Sequence, residues 1–137
     1  MNSNTGFVLK PKALMILASA NGFLALAFGS FAAHGLQQIA AANLVVTWHT
    51  GVRYHMFHAL AALLAGLLAE LCGSDVRARR WAALAGWLFI AGIVFFCGSL
   101  YLLVLAPQPW LIMMAPVGGV LFLLGWALFT GALIIRK

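Results

Sequence analysis

Acidic residues are almost missing from this chain. Among 137 residues there are two carboxylates, Glu70 and Asp75, against eight lysines and arginines, and charged residues amount to only 7%. An ordinary soluble domain carries roughly a quarter of its residues as charges, so too little polar surface is left here to keep a globule in water. Cysteine is scarce as well. Cys72 and Cys97 are the only two, and the helical rise of ~1.5 Å per residue places them about 24 Å apart. That exceeds disulfide reach, so within one subunit both are expected to be free, buried and inert. The chain also lacks paired carboxylates, a Ser/His/acid set, a phosphate-cradling glycine loop and a zinc motif. Those absences argue against an enzyme.

What is present is hydrocarbon. Hydrophobic residues are 65% of the chain and the mean hydropathy is +1.06. A helix needs about 20 apolar residues to cross a ~30 Å bilayer core, and four such runs occur, at 13–33, 52–72, 81–106 and 114–135. Each is apolar on every face, unlike the alternating strands of a membrane β-barrel, and backbone in lipid must satisfy its own hydrogen bonds. The expected fold is all-α, an integral membrane four-helix antiparallel bundle forming one domain over residues 1–137. The first run is longer than the ~7–15 residue core of a cleaved signal, so it is expected to be retained as a span.

Basic residues set the orientation. Lys10 and Lys12 precede the first span, Arg77, Arg79 and Arg80 lie between the second and third, and Arg136 and Lys137 follow the fourth. The other connections offer only Arg53. Positive-inside bias then places both termini and the 73–80 loop in the cytoplasm of a bacterial inner membrane. The net charge of +6 reads as topology, with the lipid bilayer as partner, and not as a nucleic-acid surface. Leu36–His49 is expected to lie at the outer interface or to extend the second span. Small residues at packing intervals, including Ala25, Gly29, Ala33, Ala62 and Gly66, suit close helix–helix contact within the bundle or between subunits. Pro116 with Gly118 and Gly119 should start or kink the fourth span.

Polar groups inside a membrane are costly and mark candidate sites. His34, Arg53, Tyr54, His55, His58, Ser99, Tyr101 and Gly118 all fall toward the outer ends of the spans, and Asn21 near the middle of the first. His58 is three and four residues from His55 and Tyr54, hence on one face with both; Arg53 points elsewhere and can snorkel. Three readings follow. Tyr54, His58, Ser99 and His34 hydrogen-bond across the bundle and fix its register, or His34, His55 and His58 ligate a metal or haem, or the layer is the mouth of a conduit or carrier for a small solute or ion. No acidic residue at mid-membrane supports the last, and Asn21 alone suits a helix–helix hydrogen bond.

Asn21-Gly22-Phe23 with Ala27–Leu36, Thr50–Tyr54 followed by His58-Ala59-Leu60, Gly98–Tyr101, and Pro116–Gly119 with Gly125-Trp126 together resemble the small membrane proteins known as domain of unknown function 423, which include transmembrane protein 256. The resemblance covers nearly the whole chain and implies a four-helix bacterial inner-membrane protein, without implying an activity or a cofactor. His34, Tyr54, His58, Ser99, Tyr101 and Gly118 match its motifs, whereas His49 and His55 depart from them. The chain is accordingly expected to act as a non-enzymatic accessory or scaffold protein, a small subunit that associates with other membrane proteins or with itself.

Overall fold

The computed structural model describes residues 10–137, which fold as four long helices: α1 Pro11–Ile39, α2 Ala42–Leu71, α3 Val76–Leu105 and α4 Pro109–Ile135. No strand occurs among the described residues. Prolines stand at the first turn of α1 and of α4, where the missing N–H costs nothing. Each helix is long and apolar enough to cross a membrane.

The three connections differ in how they stop a helix. Between α1 and α2 only Ala40 and Ala41 leave the helical region, both with extended backbone. Leu36–Ile39 therefore completes α1, and Ala42–His49 begins α2, so the piece expected at the interface is divided between two spans. Between α2 and α3, Gly73 adopts φ +52 and its N–H donates to the Glu70 carbonyl, a left-handed stop that favours glycine. Between α3 and α4, Pro107 and Pro109 flank Gln108 and prevent a continuous rod. Pro116 falls inside α4, not at its start.

Asp75 opens α3. Its Oδ1 accepts from the Ala78 N–H at 3.1 Å, and its Oδ2 from the Lys137 N–H at 3.3 Å, so one carboxylate ties the helix start to the chain's end. These donors, Ala78 first, hold the Asp75 carboxyl below its ordinary range. A depressed native pKa adds stability above the unfolded-state value, and that stability disappears as the pH falls through the native one. Thermal unfolding in mild detergent should therefore show an acid loss that Asp75→Asn reduces, because asparagine keeps the cap but not the charge. Equal acid losses in both proteins would contradict this role.

The helices pack as an open bundle. α2 and α3 form the centre, α1 lies on α2, and α4 lies on α3, while α1 and α4 are not neighbours. Half of the apolar window of α2 is buried but only 17% of that of α1, so the outer helices expose most of their length to lipid. Small side chains set the central spacing, with Ala18, Ala62, Ala65 and Ala85 in the core beside Phe89. Dispersion and shape, not water exclusion, hold such contacts in a bilayer.

Glycines mark the closest approaches. An added Cβ on Gly125 would lie 2.7 Å from Phe89, and one on Gly118 would run into the backbone nitrogen of Phe96. Phe96 belongs to a π-bulge, Ile93–Cys97, that interrupts α3; a second bulge, Ala32–Leu36, interrupts α1. Such bulges insert one residue into the helix and turn the side chains beyond it. In α3 the bulge comes just before Ser99 and Tyr101.

Candidate functional site

His55 is the node of a hydrogen-bonded chain through three helices. Its Nε2 lies 3.1 Å from Asn21 Oδ1 on α1, and its Nδ1 lies 3.1 Å from Tyr101 Oη on α3. The Asn21 amide Nδ2 donates to the Leu17 carbonyl at 2.9 Å, which leaves Oδ1 as acceptor. His55 must then carry its proton on Nε2, and Nδ1 accepts from the Tyr101 hydroxyl. A neutral imidazole satisfies every bond. The ring is 3% exposed, and it sits about 20 Å from the far end of α2, close to mid-membrane at ~1.5 Å per residue.

Aromatic rings wall this chain toward the far end. Tyr101 packs on Trp48 and Phe28 with ring centroids 4.7 and 4.9 Å apart, and Trp48 Nε1 donates to the Phe28 carbonyl at 2.9 Å. Gly51 makes the close fit: a Cβ there would lie 2.8 Å from the Tyr101 ring. Trp48, Gly51 and His55 lie at i, i+3 and i+7, one stripe of α2.

His58 belongs to a different cluster. Its Nδ1 donates to the Tyr54 carbonyl at 2.8 Å, and its Nε2 accepts from Trp126 Nε1 on α4 at 3.3 Å. The ring stacks on Phe122 at 3.5 Å, nearly parallel. His58 is therefore also neutral, with its proton on the opposite nitrogen from that of His55. One imidazole ties α1, α2 and α3; the other ties α2 to α4.

The two histidines do not share a site, although the helical spacing put them on one face. Each uses its single lone pair on a donor of this chain, so neither is free to ligate a metal or haem. His34 is exposed on α1, and among the described residues no group of three histidine, cysteine or acidic side chains could hold a metal. Ser99 donates to the carbonyl of Phe96 in its own helix, at 2.8 Å, taking up an acceptor beside the bulge instead of crossing the bundle. Tyr54 is 41% exposed and contributes its ring to Phe96 and Phe122. Arg53 is exposed on α2. Gly118 is the contact point of α4 on the α3 bulge. Cys72 and Cys97 are both free and buried.

Sequence reasoning placed Asn21 as a helix–helix hydrogen bond but did not give it a partner, and it gave Trp48, Phe122 and Trp126 no place in the polar layer. The stripe through Trp48, Gly51 and His55 was readable; the bond from Trp126 to His58, 68 residues apart, had no local signal.

The family described as a protein of unknown function, DUF423, matches residues 28–119, a stretch that contains His55, His58, Ser99, Tyr101 and Gly118. The chain is 41% identical over 115 residues to a UPF0382 membrane protein of Staphylococcus aureus, covering 84% of this chain and 89% of the relative. It is 39% identical over 121 residues to the UPF0382 membrane protein YwdK of Bacillus subtilis, covering 88% and 95%. With a UPF0382 membrane protein of Haemophilus influenzae it shares 38% over 112 residues, covering 82% and 86%. No solved structure matches the chain.

Proposed function

This chain belongs to the DUF423 family of multi-pass bacterial membrane proteins, and from that premise we propose that it is a non-enzymatic accessory subunit, held in a larger membrane assembly through the outward face of α1. One contrast carries the reading. The outward face of α2 presents Phe57, Leu60, Leu64, Leu67 and Leu71, the bulky hydrocarbon that suits lipid. The outward face of α1, opposite its buried Ala18, Ala25 and Ala32, mixes Ser19, Ala27, Ser30 and His34 with exposed Ile16, Phe23 and Leu26. Small and hydroxyl-bearing residues at helical intervals are what transmembrane helices use against one another, because backbones can approach and polar groups bond across the contact. The α2 stripe is thus bulky hydrocarbon, whereas the α1 face intersperses its hydrocarbon with small and hydroxyl-bearing positions that a protein helix can approach.

The buried polar groups fit the same reading. The two imidazoles, the Trp48 and Trp126 indoles and the Tyr101 hydroxyl are engaged within the chain, which suits a scaffold better than a reaction centre or a conduit. The network also stops at Asn21, whose amide closes on Leu17, so it does not continue along the bundle as a passage would.

The test is native mass spectrometry after gentle detergent extraction. The wild type should appear above the monomer mass, carrying another membrane protein or a second copy. Ala27→Leu combined with Ser30→Leu, both on the exposed face, should return a folded monomer. A wild type that is reproducibly monomeric and alone would reject the proposal.

A further inference from the structure

On one side of the bundle α3 forms a floor between α1 and α4. At the end carrying the basic residues Leu14 of α1 seats directly on Gly86 of α3, and the gap is shut. Toward the far end it opens into a cavity of about 540 Å³, bounded by Phe28, Trp48, His55, Val94, Tyr101 and Trp110, so that all four helices contribute. The α3 bulge forms one wall, and Gly98, directly after it, leaves the wall bare.

The cavity cannot close on itself. Tyr101 is already against Gly51, and Phe96 is already against Gly118, so the helices on either side are at contact distance elsewhere. The α3–α4 connection is three residues long and contains Pro107, too short to fold inward. Its rim lies on the lipid-facing surface, where Val94 is 63% and Trp110 56% exposed.

The hydrogen-bond inventory defines the occupant. The Trp48 N–H, the Ser99 hydroxyl, the Tyr101 hydroxyl and both His55 nitrogens are used within the chain, so the one lining side-chain donor not used within the chain is the Trp110 indole N–H, at the rim. No charged residue lines the walls. Water needs two or more polar partners to be held in a cavity, and away from the Trp110 rim these walls provide no free side-chain donor. An empty space of this size would forfeit dispersion contacts along its whole lining, and cavities of ~300–1,000 Å³ with apolar walls hold small ligands.

We propose that this cavity is a binding site for one uncharged hydrocarbon chain of a membrane lipid, which enters sideways between α1 and α4 and lies against Trp48, Tyr101 and the α3 bulge. The lipid head stays at the rim near Trp110, outside the site.

The experiment uses the purified full chain in phosphatidylcholine vesicles containing a phosphatidylcholine with a diazirine in the middle of one acyl chain. After irradiation, adducts are mapped by mass spectrometry. The wild type should carry adducts on Trp48 and Tyr101, which are only 3% and 7% exposed and hidden from lipid at the outer surface. Leu14 and Phe89, fully buried away from the cavity, should carry none.

Gly98→Leu provides the second arm. A Cβ at Gly98 meets only the Ile93 carbonyl oxygen, 4.0 Å away, so the helix accepts leucine and its side chain fills the site. Adducts on Trp48 and Tyr101 should be lost while those on exposed Leu123 and Ile134 persist. Unlabelled cavity rings in the wild type, as a second copy of the chain seated there would produce, overturn the proposal; so does labelling that Gly98→Leu leaves unchanged. Because the measurement is made without any partner, it stands or falls separately from the subunit role.

Discussion

Gly118→Ala should be among the most damaging single-methyl changes in this protein, while Gly119→Ala, one residue on, should be tolerated. At Gly118 the new methyl meets the backbone of Phe96, and backbone in a packed helix cannot rotate away as a side chain could. Overpacking costs typically ~1–3 kcal/mol when side chains yield, so a loss of about 3 kcal/mol or more is expected where backbone is hit. At Gly119 an added Cβ meets nothing within 4 Å, and alanine gains helix propensity of roughly 0.5–1 kcal/mol over glycine. Unfolding of detergent-solubilised protein by heat or by a denaturing detergent measures both. Similar midpoints for the two variants would show that α4 does not rest on the α3 bulge.

His55→Ala should also be severe, and for an electrostatic reason. It leaves Asn21 Oδ1 and the Tyr101 hydroxyl without the partner they share, near the middle of the bilayer. Hydrogen bonds inside membrane proteins average near ~0.6 kcal/mol and reach about 1.7. Two such bonds together with the space left by a buried ring amount to about 3 kcal/mol. Tyr101→Phe removes one bond and keeps the ring, so its cost should be near 1 kcal/mol. The two changes share an interaction, and the double variant should cost less than the sum of the singles. Strict additivity would mean that the two side chains are not coupled. Nitrogen-15 resonances of the imidazoles give an independent check: His55 should be protonated at Nε2 and His58 at Nδ1, and matching tautomers would contradict the two-cluster arrangement.

How much of the site could be read in advance depended on distance along the chain. Tyr54 and His58 are four apart on one helix, and their pairing follows from the helical repeat alone. The same repeat also suggested that His55 joins them, and that grouping failed. Three residues on a helix turn a side chain by about 60° from its neighbour, and here that angle separates a face toward α1 and α3 from a face toward α4. The depth of the histidines was also misjudged. Ala42–Gly51 reads as weakly polar but continues α2 without a break, which lowers His55 and His58 from near the outer end of a span to its middle. The α1–α2 turn rests on two alanines, and neither signals a break as glycine or proline would.

Composition and the positions of the few charges specify four apolar helices, and the structure gathers the basic residues other than Arg53 at one end, because both properties follow from the preference of each segment for lipid or water. Those preferences act locally and need no knowledge of neighbours. Packing alone decided that α1 and α4 stay apart, that the two imidazoles take opposite tautomers, and that a cavity opens beside the α3 bulge. Each of these depends on which glycine meets which ring across the bundle, a matter of shape between residues far apart in the chain.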